Sequence, residues 1–294
     1  MMMRKERFFS LLFFGFLMCS IDLLTFSHNI SQKTDSGELK TILTGCAEYC
    51  RKLDRASLHF TCLEDIRERV YFVNKQEDKQ SVPGSRVTYK MNTMRYHEIR
   101  HTFDYQLIRQ DSVKERKRLI EKNGKPGDSD MEEFEPYFFY HQYVIFGPVG
   151  IFGKKWQEFY NYTLVEKTRF KRENVYVVDA RPKYGSILGH MFGKAWISAS
   201  DYSVLKIEWD QRSLGKFDII LEKAASIEAT PDITLISEYG IEKNGLRFPS
   251  RYIIREDYIF PFRRKYRNSE TLVSYKNYKF FMVETDVSNV REKK

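Results

Sequence analysis

Residues 234–257 read TLISEYGIEKNGLRFPSRYIIRED. Residues 234–242 and 246–257 are rich in β-branched and aromatic side chains, and Lys243-Asn244-Gly245 stands between them. Asn-Gly accepts the positive backbone angles of a tight turn whose twist matches that of paired strands. The stretch therefore predicts an antiparallel hairpin. The same grammar repeats on both sides. Residues 160–170 and 175–180 bracket Lys171-Arg172-Glu173-Asn174, 194–198 and 204–209 bracket Ser200-Asp201, and 270–275 and 278–287 bracket Lys276-Asn277. Residues 217–228 read as a further strand. Upstream, Phe103, Tyr105 and Leu107 alternate with Asp104, Gln106 and Ile108, and Gln110-Asp111-Ser112 turns into 113–121. Residues 123–130 (NGKPGDSD) read as a loop. Strand after strand, with turns about every ten residues, predicts an antiparallel meander.

So many strands must curl to hide their edges and their apolar face. The expected fold is mainly β (α+β): a curled antiparallel sheet forming an incomplete barrel, closed by an N-terminal helix and loop elements. The helix is expected over 36–53, where Leu39, Ile42, Leu43, Cys46, Tyr49, Cys50 and Leu53 recur at spacings of three and four. Residues 57–73 fit helix or strand. Residues 76–86, with Pro83-Gly84, read as a loop, and 138–146 as an aromatic strand. Gly147-Pro148-Val149-Gly150-Ile151-Phe152-Gly153 reads as an apolar loop, which is unusual because loops normally face water.

The 294 residues are 42% hydrophobic, 30% charged and 15% aromatic, which excludes a disordered or low-complexity chain. Only residues 8–21 approach the apolar length of a membrane span, which excludes a polytopic membrane protein. Arg4, Lys5 and Arg7 precede that run and polar residues follow it, as in a signal peptide. Residues 1–27 are thus expected to be a signal peptide or a retained N-terminal anchor, and 28–294 a single domain. Phe16-Leu17-Met18 is too bulky for the usual lipidation site before Cys19. The formal charge of +9 suits an anionic membrane surface or an acidic partner, although acids are interspersed throughout. Export removes the chain from nucleic acid. An oxidising compartment permits a disulfide. Cys50–Cys62 is the preferred pair, because a Cys46–Cys50 bridge within a helix strains the Cα spacing. Three cysteines lack a placed fourth ligand for zinc.

The segment Gly193-Lys194-Ala195-Trp196-Ile197-Ser198-Ala199-Ser200-Asp201-Tyr202-Ser203-Val204-Leu205-Lys206-Ile207-Glu208 resembles the strand-turn-strand of LolA-like outer-membrane lipoprotein-sorting proteins. Ile236-Ser237-Glu238-Tyr239, Asn244-Gly245-Leu246-Arg247-Phe248-Pro249-Ser250 and Tyr275-Lys276-Asn277-Tyr278-Lys279 are similar to that family's later motifs. The likeness spans 160–287 and is loose over 36–150. It implies a half-barrel wrapped around helices, with an apolar cavity for the acyl chain of a lipoprotein or another lipid. It also implies a place in the periplasm or cell envelope of a Gram-negative-type bacterium.

Burying an acyl chain yields about 0.8 kcal/mol per CH2, so a modest cavity already gives useful affinity. The expected ligand contacts are Phe146, Ile151, Phe152, Trp156, Trp196 and Trp209, large side chains near the expected cavity. Phe138, Phe139 and Val144 join the expected mouth, and Lys154 and Lys155 its basic rim. His97-Glu98-Ile99-Arg100-His101 matches the H-E-x-x-H spacing of zinc peptidases. The segment runs straight into the strand at Phe103, and on a strand the two histidines lie about 13 Å apart. No Gly-rich phosphate loop and no G-x-S-x-G elbow occur, and Glu132-Glu133 fits a solvated turn. The expectation is therefore a binding protein with no cofactor and no catalytic group. The alternatives are an envelope scaffold or sensor for a protein partner and, more remotely, a zinc peptidase.

Overall fold

The computed structural model describes residues 21–73, 94–109, 111–131, 144–183, 191–215, 217–261 and 264–281, with the side chains of 21–36, 73, 94 and 128–131 left out. In chain order the elements are α1 (Ile21–Ala56), β1 (Phe60–Val73), β2 (Met94–Arg109), β3 (Val113–Lys122), β4 (Lys125–Met131), α2 (Gly147–Phe152), β5 (Tyr160–Phe170), β6 (Glu173–Pro182), β7 (Gly193–Ser198), β8 (Val204–Trp209), α3 (Phe217–Ser226), β9 (Thr230–Glu238), β10 (Ile241–Lys243), β11 (Leu246–Phe248), β12 (Arg251–Phe260) and β13 (Arg264–Phe280).

Eleven strands form one antiparallel sheet in the order β4-β3-β2-β1-β13-β12-β9-β8-β7-β6-β5, and β10–β11 form a separate hairpin. The first four strands are one meander and β5 to β9 another. The pairing of β1 with β13 joins them, from Phe60↔Phe280 to Val70↔Ser269. β4 and β5 end the sheet at opposite edges, so it is not closed: the architecture is an incomplete barrel.

Alternation assigns the two faces. Along β1, Phe60, Cys62, Glu64, Ile66 and Glu68 are buried and the residues between them are not. The inner face continues through Phe103, Tyr105, Tyr252, Ile254, Leu235, Ile207 and Ala195, and α1 packs Ile42, Cys46, Tyr49, Cys50 and Leu53 into the same core. The outer face carries paired charges instead. Glu270 meets Arg69, Arg255 and Arg267, and Asp257 meets Arg267 and Lys265.

The 243–245 turn stands as read, with positive φ at Asn244 and Gly245. The flanking strands are shorter than the pattern suggested: β10–β11 is its own small hairpin, and β9 pairs directly with β12 beneath it. The Tyr239 N–H turns to Leu205 O, and Pro249 has no N–H to extend β11. Lys276-Asn277 is not a turn. β13 runs through it, and Asn277 at φ 57 absorbs a register shift opposite Thr61/Leu63, a bulge. Residues 125–131 are edge strand β4 rather than loop, and 217–226 are helix α3 rather than strand. Residues 57–73 resolve to β1, and α1 extends the expected helix at both ends. Residues 1–20, which hold most of the expected leader, lie outside the described residues, as do 76–86, Glu132-Glu133 and 138–143.

The Cys50–Cys62 disulfide is not formed: Cys46, Cys50 and Cys62 are buried free thiols. The Cys50 thiol points at Pro148 O (3.4 Å), and Cys62 lies against the Tyr278 hydroxyl. The two sulfurs thus serve different neighbours. Burial pushes the Cys46 thiol up to about 12 and raises the other two as well, so all three stay protonated.

One ion pair sits inside the sheet. Lys117 Nζ meets Glu64 Oε2 at 2.6 Å and Glu115 Oε2 at 3.5 Å, with the lysine 3% and Glu64 0% exposed. The Tyr105 hydroxyl donates to Glu115, and the ammonium lies 5.4 Å from the Tyr105 ring centroid. Removing the cation strands a buried carboxylate. Lys117→Met is expected to cost about 3–5 kcal/mol in urea unfolding, and Glu64→Leu/Lys117→Leu to recover much of the loss. A Lys117→Met loss below about 1 kcal/mol would remove the pair from any structural role.

Candidate functional site

The apolar stretch at 144–153 is neither a loop nor a strand. Val144–Phe146 form a 3-10 turn and Gly147–Phe152 form α2, which inserts into the concave face against α1 and β8. Pro148 suits the first turn of a helix, where its missing N–H costs nothing. Gly147 is required by close packing: a Cβ there would lie 2.4 Å from Tyr239 Oη and 3.1 Å from the Trp209 ring. So short a helix leaves its carbonyls without partners, and the core supplies donors. Tyr239 Oη donates to Val144 O (2.8 Å), Cys50 Sγ to Pro148 O, Tyr162 Oη to Ile151 O (2.5 Å) and Gln157 Nε2 to Phe152 O (2.9 Å). Gln157 Nε2 also reaches Leu43 O in α1 (2.7 Å). Burial raises the Tyr239 and Tyr162 hydroxyls, so both remain donors.

Four of the six expected contact residues come together here. Ile151 and Phe152 are enclosed at 1% and 0% exposure, and Trp209 is buried with its indole N–H on Ser237 Oγ (2.9 Å). Phe146 packs half-buried against the same core, and Phe152 stacks on Tyr162 with centroids 5.8 Å apart. Trp156 lies beyond α2, half-buried against Phe159 and beneath Lys155. Trp196 is on the other face of the sheet. Its neighbours Ala195 and Ile197 point into the core, and Lys206 Nζ sits 3.8 Å over its ring. Lys154 and Lys155 are exposed.

The element missed by the strand reading is α3, between β8 and β9. Ile220 and Ala224, four apart, are its buried residues, and it packs on β9. Asp218 in the first turn and Lys223 in the last suit the helix dipole. That spacing and charge order were the available signals for a helix. The flanks of that buried stripe are apolar as well: Ile219 on one side of Ile220 is 55% and Leu221 on the other 48% exposed, Ile227 just beyond is exposed, and the side opposite the stripe carries Asp218 and Glu222. Lys223 Nζ ties the helix to the sheet, bonding Glu256 Oε1 at 3.0 Å and lying 5.2 Å from the Tyr258 ring centroid. Glu256 also accepts from Tyr258 Oη (2.6 Å), Asn268 Nδ2 (2.6 Å) and Ser269 Oγ (2.8 Å). Burial alone would raise this carboxyl, but the four donors outweigh it and hold it below the usual range.

His97 and His101 lie on β2, opposite Val70 and Ile66 of β1. His97 is exposed and His101 buried, and a strand separates them by about 13 Å, too far to share one ion. The peptidase geometry is therefore not formed. Among the described residues there is no cluster of His, Cys, Asp and Glu able to hold a metal, and no helix long and apolar enough to cross a membrane.

No protein-family model matches the chain, and no curated protein matches it. Among solved structures it is similar to a LolA superfamily protein from Nitrosomonas europaea, with 13% identity over 83% of this chain and 94% of that chain and a TM-score of 0.35. It is similar to a DUF1329 family protein from Desulfovibrio piger, with 7% identity over 83% and 95% of the two chains and a TM-score of 0.36. A third is the MucA/MucB complex of Pseudomonas aeruginosa, with 8% identity over 81% and 99% and a TM-score of 0.21. A LolA superfamily structure thus stands among the similar folds, and likenesses of this size assign no function.

The Glu256 contact makes a pH prediction. A carboxyl held low in the folded state stabilises it in full above the unfolded glutamate range, about 4.3, and the stabilisation fades as pH falls through the lower folded value. Glu256→Gln should cost about 1–3 kcal/mol in urea unfolding at pH 7, and the gap to the native chain should narrow below about pH 4. A gap unchanged at pH 3 would show that the carboxylate charge is not what binds α3.

Proposed function

We propose that this chain is an exported, non-enzymatic envelope protein that binds an apolar ligand, a lipid or the acyl chain of a lipoprotein, at the concave side of its half-barrel. The N-terminal basic–apolar–polar pattern of residues 1–27 supports export to the periplasm or cell envelope. The observation that carries ligand binding is α3, a covering helix with an exposed apolar side chain on each flank of its buried stripe. Ile220 and Ala224 face β9 while Ile219 and Leu221 are exposed, and among the described residues Lys223 supplies its side-chain hydrogen bond to the sheet. A helix so held can roll and bring one of these apolar flanks over a chain laid against the sheet.

A second reading is favoured by α2. Ile151 and Phe152 are already enclosed by the protein's own side chains, as in a scaffold or sensor whose filled barrel binds a protein partner on another face. Under the first reading, ligand enters beside α3 and not through α2.

Organic-solvent extraction of the purified chain followed by mass spectrometry should release lipid, and a fluorescent fatty acid should bind the delipidated protein. Ile219→Asp/Leu221→Asp should weaken that binding at least about tenfold, because two apolar contacts are replaced by charge, without shifting the thermal midpoint. No extracted lipid and no binding at about 100 µM probe, an affinity floor near 5 kcal/mol, would leave the scaffold reading.

A further inference from the structure

We infer that the ends of β2, β1, β13 and β12 form a docking surface for an anionic lipid bilayer. This surface is separate from the ligand site and stands whether or not that site binds lipid. At the end of the sheet remote from α1's last turn, aromatic side chains follow one another across four neighbouring strands. Tyr96 of β2 and Tyr71 of β1 have ring centroids 5.7 Å apart. Tyr266 of β13 donates its hydroxyl to Tyr71 O at 2.7 Å. Tyr266 and Phe260 of β12 line a pocket of about 490 Å³ with Arg264 and Lys265. Phe72 and Tyr96 are 44% and 50% exposed, unusual for rings at strand positions.

The charges at this end include two cations left over from pairing. Arg95 and Arg264 are exposed and have no ion-pair partner among the described residues, while Lys265, next to Arg264 on β13, is held by Asp232 and Asp257. Further along the same strands Arg255 and Arg267 are matched by Glu270. Two unmatched guanidiniums beside exposed rings fit a phosphodiester surface: each guanidinium can grip phosphate oxygens bidentately, and Tyr and Phe rings settle at the headgroup level. Four adjacent strand ends span about 14 Å in a line, the footprint of a flat surface and not of a groove for a peptide.

The test is co-sedimentation of the full chain with vesicles of phosphatidylcholine and phosphatidylglycerol (7:3) and of phosphatidylcholine alone. Binding should be at least about tenfold tighter to the anionic vesicles and weaken at high salt. Arg95→Glu/Arg264→Glu and, separately, Phe72→Ser/Tyr96→Ser should each lose at least about tenfold with the thermal midpoint retained. Lys40→Glu/Lys52→Glu, an equal change of net charge on α1, should bind as the native chain does. Equal binding to both vesicle types, equal loss in the α1 variant, or displacement by polyglutamate as effective as by anionic lipid would overturn the assignment.

Discussion

A concave sheet cannot keep an apolar inner face open to water, and whatever fills it must bring its own backbone polar groups to partners. This chain meets the constraint in one half of the sheet by inserting α2, six residues with no polar side chain. Three carbonyls of α2 and one of the turn before it are received by donors from the surrounding core: Cys50, Tyr162, Gln157 and Tyr239. Because those donors come from α1, β9's end, β5 and the segment after α2, the plug binds the helix and the second meander into one packed unit. Burial of the thiol and phenol groups keeps them protonated, so this set of contacts is insensitive to ordinary changes of pH.

The other half of the inner face is built differently. Glu64, Glu68 and Glu256 point inward there, and cations from neighbouring elements meet two of them: Lys117, itself buried, from β3 to Glu64, and Lys223 from α3 to Glu256. Buried ion pairs of this kind fix geometry at little net gain in stability. Under the proposed ligand-binding reading, the contrast between a plug hydrogen-bonded at several points and a covering helix hydrogen-bonded to the sheet through Lys223 separates the part of the interior that stays closed from the part that admits a ligand.

The strands and most turns were legible because a solvated outer face and a buried inner face impose a period of two, and because Asn244-Gly245 and Lys171-Arg172 provide the positive φ of tight hairpins. Three features besides edge strand β4 were not. Asn277 also has positive φ, yet it makes a bulge, since local sequence cannot say whether the chain reverses or merely kinks. Residues 147–153 carry no polar side chain because their partners lie up to a hundred residues away in Cys50 and Tyr239, a tertiary fact invisible in a window. In α3 the run Phe217 to Leu221 imitates a buried strand, and only Ile220 and Ala224 reveal the helical period. Of the candidate contacts, Trp196 shows the cost of a period-two reading without register: one position moves a ring to the opposite face. Glu256 and Lys223 could not be found from spacing, because their meeting joins a helix to a strand some thirty residues later.

Native-state hydrogen exchange on the full chain, with and without oleate, addresses the difference between the two covers most directly. Amides of 217–226 should exchange through a local opening far below the global unfolding free energy and gain protection when oleate is added, while those of α2 and β8 exchange only on global unfolding in both states. Amides of α3 as protected as those of β8, and unmoved by oleate, would contradict the account.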